Sequence, residues 1–133
     1  QCTKNNGVSD GMAEFVCPLC ATIHLSGSTI TLTSCAMAVM VMMNQSIGFG
    51  KMFPFILMLG VTMVAAPGVP GGAVMAALGI LQSMLGFDET MCGLMIALYI
   101  AQDSFGTACN VTGDGAIAVL MDAITGKKKA AAK

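Results

Sequence analysis

The chain has 133 residues, of which 56% are hydrophobic and only 10% are charged, and its formal net charge is −1. Because an ordinary soluble domain has about 25% charged residues, these values favour a membrane protein over a soluble domain or a nucleic-acid-binding protein. The 16 glycines fit closely packed membrane helices. The chain starts at Gln1 without a secretory signal pattern, so we expect it to be a piece of a longer membrane protein.

The first part of the chain is polar and then becomes strongly apolar. Residues 1–14 contain several turn-forming residues and predict a loop that follows an element outside this sequence. Residues 15–43 form an apolar segment longer than the roughly 20 residues that cross a bilayer. The stretch His24-Leu-Ser-Gly-Ser28 interrupts that segment with an imidazole, two hydroxyls and a glycine. We therefore predict a transmembrane helix that is broken near the middle of the bilayer.

A second apolar segment covers residues 52–85 and is interrupted by Ala66-Pro-Gly-Val-Pro-Gly-Gly72. The prolines and glycines of that stretch break any helix, and each remaining arm is too short to cross a bilayer comfortably. The pattern predicts a re-entrant hairpin, which enters the membrane, turns and leaves on the same side. Irregular backbone at membrane depth persists only where it is buried in protein or lines a cavity.

The last apolar segment, residues 90–125, predicts a final transmembrane helix with a polar stripe. On such a helix an arc of about 60° holds four polar residues, which are Asp103, Thr107, Asn110 and Asp114. Because the segment is longer than an upright span needs, we expect a break or kink near Gly106 or Gly113. The basic tail, residues 127–133, would lie on the cytoplasmic side of the membrane.

These features together favour a transporter. Interrupted hydrophobic segments are typical of transporter binding sites. Carboxylate and carbonyl oxygens can replace the water around a small hard cation, and the Asp103 carboxylate could hold a substrate ammonium group. The alternative is that the polar stripe only bonds to neighbouring helices.

The chain has six cysteines, which we expect to be mostly reduced and buried because Cys35, Cys92 and Cys109 lie within apolar helical runs. Cys17-Pro-Leu-Cys20 with His24 also fits a membrane metal or redox protein, although no second C-x-x-C pair accompanies it. His24 lies at the predicted break, where a role in cation coupling or proton transfer competes with a packing role.

Three stretches resemble motifs of the dicarboxylate/amino acid:cation symporters, the family of the glutamate transporter homologues. Asn110-Val-Thr-Gly-Asp114 resembles the NVTGD motif of the family's last transmembrane helix. The stretch 15–28 resembles the LPLGATINMDGT sequence of the seventh helix, and the stretch 66–72 resembles the AGVPG tip of the second hairpin. The order and spacing of the three motifs agree with the family over residues 15–126.

The resemblance implies an all-α membrane protein in which residues 15–126 form the C-terminal part of an elevator transport domain. It implies cation-coupled symport across the lipid bilayer of the cell membrane by a multi-pass protein, usually a homotrimer, with the hairpin 52–85 as the gate. The scaffold helices and the serine-rich first hairpin would lie in an N-terminal part that is missing here. The resemblance implies no enzyme activity and no cofactor, only sodium ions as coupling ions, with a proton as an alternative.

The resemblance also implies the residues that bind substrate and sodium. Asp103 would hold the amino group of the substrate, and the hairpin tip would cover the substrate. The whole substrate site would consist of Asp103, Gly106, Thr107, Asn110, Ser28, Gly68 and Val69. One sodium site would be lined by Asn110, Asp114 and the Cys20 carbonyl, and a second by the backbone carbonyls of Thr22, Met63, Val64 and Ala66. His24 would either replace a cation ligand of the family or carry a proton.

Two departures from the family pattern bear on the substrate and the ions. The arginine that binds the side-chain carboxylate of acidic substrates falls on Gly106 here, so an acidic side chain would lack its charge partner. We therefore expect a small neutral amino acid such as serine, threonine or alanine. Ser26 replaces an aspartate that supplies a cation ligand in the family, which leaves the cation stoichiometry open. Dicarboxylate or glutamate symport and a non-transporting membrane fragment are the alternatives.

Overall fold

The computed structural model describes the backbone of residues 1–66 and 68–131, and the side chains up to Gly126. Every regular element in these residues is helical, which confirms the all-α class predicted from the sequence. Pro67 of the predicted hairpin tip and the side chains of the basic tail lie outside the described residues. In chain order the elements are α1 (Cys2–Asn5), α2 (Asp10–Ile23), α3 (Ser26–Met42), α4 (Phe49–Met63), α5 (Gly72–Ile80), a π-helical turn (Leu81–Leu85) and α6 (Glu89–Ala131).

Residues 1–14 differ from the predicted loop, because they contain α1 and the first turn of α2. Lys4 Nζ lies 3.1 Å from a carboxylate oxygen of Asp10 and 3.0 Å from one of Glu14, so one ammonium group bridges two acids on the next helix. Val8 is buried in a small core with residues of α2 and α6. These contacts with other helices order a segment whose own composition is typical of a loop.

His24 and Leu25 separate α2 from α3. The backbone of His24 is not helical, with φ −102° and ψ 87°. The break lies just before Gly27, where α3 packs against α6. It leaves the His24 side chain and the Gly27 N–H group to bond with residues of α6.

α3 and α6 approach each other closely at Gly27 and Gly106. A Cβ atom built on Gly27 would lie 2.3 Å from the Gly106 carbonyl oxygen and 2.7 Å from the Cys109 Cβ atom. Both distances are far below van der Waals contact, so only glycine at position 27 allows the two backbones to pack in this way.

α6 is α-helical from Glu89 to Ala131, a run of 43 residues, so the helix is not broken near Gly106 or Gly113, and the alternative of a kink there stays a prediction. The two glycines have packing roles instead: Gly106 faces Thr31 of α3, and Gly113 faces the His24 ring. An isolated glycine lowers helix stability by only about 1 kcal/mol relative to alanine. The helix continues through both glycines because the close packing that they allow offsets this cost.

α4, α5 and the π-helical turn form a hairpin of two apolar arms. Lys51 Nζ donates a hydrogen bond to the Leu85 carbonyl oxygen at 2.9 Å and joins the two arms at their base. Gly71 and Gly86 lie at the start and end of the second arm with φ of 74° and 73°, a left-handed conformation that glycine adopts at low cost. The arms pack into the main core, where the fully buried side chains include Phe55, Leu59, Val74 and Leu81.

One stretch of the described chain, Asp10–Met42, is long and apolar enough to cross a membrane by length and composition. It combines α2 and α3. The hairpin arms Phe49–Met63 and Gly72–Leu85 are apolar but shorter. α6 is not among the stretches that meet this measure, because its polar stripe and its glycines lower the mean hydropathy.

Candidate functional site

A cavity of about 530 Å³ lies where the α2–α3 break, the hairpin tip and the polar stripe of α6 meet. Three segments that are distant in sequence thus form one site. Pockets for small organic ligands have volumes of about 300–1,000 Å³, so the cavity can hold a molecule of that class.

Most of the residues predicted to bind substrate or sodium line this cavity. From the predicted substrate site it includes Ser28, Gly68, Val69, Asp103, Thr107 and Asn110. From the predicted sodium sites it includes Thr22, His24, Val64, Ala66, Asn110 and Asp114. Gly106, Cys20 and Met63 are not among the lining residues.

Those three positions pack against other parts of the protein. Gly106 is buried against α3, and a Cβ atom built on it would lie 3.2 Å from Thr31 Oγ1. A side chain at position 106 therefore starts toward α3 and not toward the cavity. The Cys20 side chain belongs to the small core beside α6, and the Met63 side chain belongs to the main core.

Asp103 lies at the boundary between α6 and the hairpin. Its Oδ2 atom accepts a hydrogen bond from the Gly71 N–H group at 3.3 Å. The side chain is only partly exposed and lines the cavity beneath the hairpin tip. The carboxylate can therefore contact both the hairpin and a ligand in the cavity.

Asn110 connects α6 to α3 just after the break. Its Oδ1 atom accepts a hydrogen bond from the Gly27 N–H group at 2.8 Å, and its Nδ2 atom donates one to Ser28 Oγ at 3.0 Å. Gly27 lies in the first turn of α3, where backbone N–H groups have no partner within the helix, so Asn110 caps that helix. Asn110 is only 7% exposed, and its amide is held in one orientation.

Asp114 and His24 form a pair at the other end of the stripe. His24 Nδ1 lies 2.8 Å from Asp114 Oδ1, and the two side chains are 27% and 14% exposed. Both residues line the cavity.

Tyr99 lines the cavity although it is not one of the four residues of the predicted polar stripe. It is 1% exposed and lines the cavity four positions before Asp103. Residues four positions apart share one helix face, so extending the stripe by one turn toward the N-terminus predicts this tyrosine as a neighbour of the site.

The charges on the cavity wall are mainly negative. Asp103 and Asp114 contribute carboxylates and His24 contributes an imidazole, while no lysine or arginine is found among the described lining residues. A ligand with a positive group therefore fits the walls better than one with a surplus of negative charge.

All six cysteines are free thiols. Cys20, Cys35 and Cys92 are buried as expected, but Cys109 is exposed, so the burial predicted for it is wrong. The Cys17 Sγ atom donates a hydrogen bond to Thr3 Oγ1 at 3.5 Å. Within the described ranges, no group of three or more His, Cys, Asp and Glu side chains could hold a metal ion, so the alternative of a metal site finds no ligand cluster there.

The sequence is similar to known membrane transporters. Neutral amino acid transporter A of Bos taurus is 29% identical over 111 residues, which cover 84% of this chain and 21% of that protein. Neutral amino acid transporter B(0) of Homo sapiens is 27% identical over 111 residues, which cover 84% of this chain and 20% of that protein. Excitatory amino acid transporter 5 of Mus musculus is 28% identical over 118 residues, which cover 89% of this chain and 21% of that protein. No solved structure gives a significant match.

The chain spans about a fifth of the length of the curated relatives it matches. The model of the sodium:dicarboxylate symporter family matches residues 1–124, which include the broken helix, the hairpin and the polar stripe. This match confirms the family predicted from the three motifs. The chain therefore belongs to the sodium:dicarboxylate symporter family.

Proposed function

We propose that this chain forms the substrate- and cation-binding part of a sodium-coupled symporter for small neutral amino acids. The observation that carries the proposal is the cavity of about 530 Å³, with Asp103 beneath the hairpin tip and Asp114 beside the helix break. The family match supports secondary transport rather than enzyme catalysis. Two of the relatives are named as neutral amino acid transporters, which supports this substrate class.

Asp103 is the partner that we assign to the amino group of the substrate. Its bond from the Gly71 N–H group is long, at 3.3 Å, and a substrate ammonium group would form a stronger, charge-assisted bond with the same carboxylate. Thr107 and the buried pair of Asn110 and Ser28 would contact the rest of the amino acid.

Sodium is the coupling ion that we assign to the opposite end of the cavity. Asp114 supplies carboxylate oxygen and Asn110 supplies amide oxygen, both of which suit a hard cation. Thr22, Val64 and Ala66 line the same cavity, and their backbone carbonyls are the neutral ligands of a second proposed site. A proton in place of one sodium ion is the alternative.

The hairpin formed by α4, α5 and the π-helical turn is the proposed gate. Gly68 and Val69 at its tip form one wall of the cavity, and Val69 is 62% exposed. Moving this tip away from Asp103 would open the cavity without unfolding either arm. The whole protein would be a multi-pass, homotrimeric protein of the cell membrane, with a scaffold and a first hairpin supplied by sequence outside this chain.

The substrate class is tested by uptake of labelled serine into liposomes that contain the full-length protein under a sodium gradient. We expect asparagine to inhibit this uptake about 100-fold more strongly than aspartate. The two competitors have nearly the same shape, but the side-chain carboxylate of aspartate would be desolvated without a basic partner, at a cost of about 3 kcal/mol.

Equal inhibition by aspartate and asparagine would contradict neutral selectivity and favour dicarboxylate or glutamate symport. A full-length protein that neither takes up amino acids nor gains thermal stability from sodium would favour the non-transporting alternative. Replacing sodium with choline is the matched control for ionic strength.

A further inference from the structure

The contact between His24 and Asp114 joins residues that are 90 positions apart in the sequence. His24 lies in the break between α2 and α3, and Asp114 lies on the polar stripe of α6. His24 Nδ1 and Asp114 Oδ1 are 2.8 Å apart. Because an ionised carboxylate only accepts hydrogen bonds, we assign the proton of this bond to His24 Nδ1, with Asp114 Oδ1 as the acceptor.

Gly113 makes room for this imidazole. A Cβ atom built on Gly113 would lie 2.5 Å from His24 Cε1 and 3.3 Å from His24 Nδ1. The ring therefore rests on the α6 backbone at a place where any larger residue would push it away. Gly113, next to Asp114 on α6, therefore leaves the space in which the His24 ring reaches the Asp114 carboxylate.

We propose that His24 is a positioning residue for the cation site: its Nδ1–H group holds Asp114 Oδ1, and this leaves Asp114 Oδ2 free to bind sodium. The inference rests on the proposed function. In this role His24 acts through Asp114 and does not itself bind sodium. A carboxylate ligand held by an outer hydrogen bond is already oriented when the ion arrives, and removing such an outer partner typically lowers metal affinity by about 10- to 100-fold.

Three substitutions of His24 separate this role from a general structural one. The amide nitrogen of His24→Asn lies at nearly the same reach from the backbone as Nδ1 and can donate the same bond. The amide of His24→Gln lies one bond farther out, and His24→Ala has no donor. The readout is the sodium concentration that gives half of the maximal thermal stabilisation of the full-length protein, measured in detergent without amino acid.

We expect His24→Ala to raise this sodium concentration about 10-fold or more, and His24→Gln to behave like it. His24→Asn should restore a value close to that of the unmodified protein.

Gly113→Ala is an independent second variant, because it displaces the ring without changing the histidine. It should reproduce the sodium effect of His24→Ala, and the double variant should show no further increase. Gly115→Ala is the matched control on the same helix, since a Cβ atom there has nothing within 4 Å, and it should leave the sodium response unchanged.

The inference is overturned if the unmodified protein responds to sodium and His24→Ala responds at the same concentration. It is also overturned if His24→Asn fails to restore the response, because His24 would then act through something other than the Nδ1 bond. A full-length protein with neither a sodium response nor uptake would overturn the proposed function itself, and this result differs from both of the others.

Discussion

Asp103→Asn is expected to lower amino acid uptake by the full-length protein by about two orders of magnitude. Asparagine keeps the shape of the side chain and its bond from the Gly71 N–H group, but removes the charge that we assign to the substrate ammonium. Loss of one partner from a desolvated charge pair costs about 2–5 kcal/mol, and each 1.4 kcal/mol is a factor of about ten.

The measurement is the initial rate of sodium-driven uptake of labelled serine into liposomes, over a range of serine concentrations. Asp122→Asn is the matched control, because Asp122 is a carboxylate on the same helix that bonds to Ser9 Oγ and does not line the cavity. It should retain nearly full uptake. If Asp103→Asn transported serine as well as the control does, Asp103 would not be the partner of the amine.

Gly27→Ala is expected to have the largest effect on folding, with a loss of about 3 kcal/mol in the free energy of unfolding. The added methyl group would meet the Gly106 carbonyl oxygen at 2.3 Å, and a backbone atom cannot rotate away as a side chain can. α3 and α6 would have to separate, which would also lengthen the bond from the Gly27 N–H group to Asn110. We therefore expect lower thermal stability together with weakened sodium binding.

Gly93→Ala is the control for this substitution. Gly93 also lies in α6, and a Cβ atom built on it has nothing within 4 Å. Because alanine favours a helix by about 1 kcal/mol over glycine, this variant should unfold at the same or a higher temperature. Thermal unfolding of both purified full-length variants in detergent compares them directly. Equal stability would mean that α3 and α6 do not pack closely at Gly27 in the membrane protein.

The polar stripe is the part of the site that can be predicted from sequence, because helical periodicity is a local property. Spacing alone brings Asp103, Asn110 and Asp114 to one face of a helix. In the structure, all three residues line the same cavity. The same periodicity extends to Tyr99, which polarity alone passes over because its ring is mostly apolar.

The partners of that stripe cannot be predicted in the same way, because they depend on which helices touch. Gly106 lies at the edge of the stripe, about 60° from Asp103, and this angle does not reveal that α3 packs on that side. The bond between His24 and Asp114 likewise depends on the non-helical backbone at His24, and not on any spacing within α6.

The N-terminal residues show a second reason why part of the fold cannot be predicted from the sequence. Their polar, turn-rich composition predicts a loop, but Lys4 pairs with acids of α2 and Val8 is buried beside α6. Contacts with residues that are distant in sequence decide the conformation of this segment. The helix and loop propensities of its own residues do not reveal those contacts.

The uninterrupted course of α6 has a mechanical consequence. Its 43 residues extend for about 65 Å at a rise of about 1.5 Å per residue, and Asp103 and Asp114 lie about 16 Å apart along that length. A hydrogen-bonded helix resists stretching, so the two carboxylates keep a constant separation while other parts move. In the proposed symporter, α6 then keeps the substrate site at Asp103 and the sodium site at Asp114 at a fixed distance from each other. Binding at one site can affect the other only when the hairpin or the broken helix moves relative to α6.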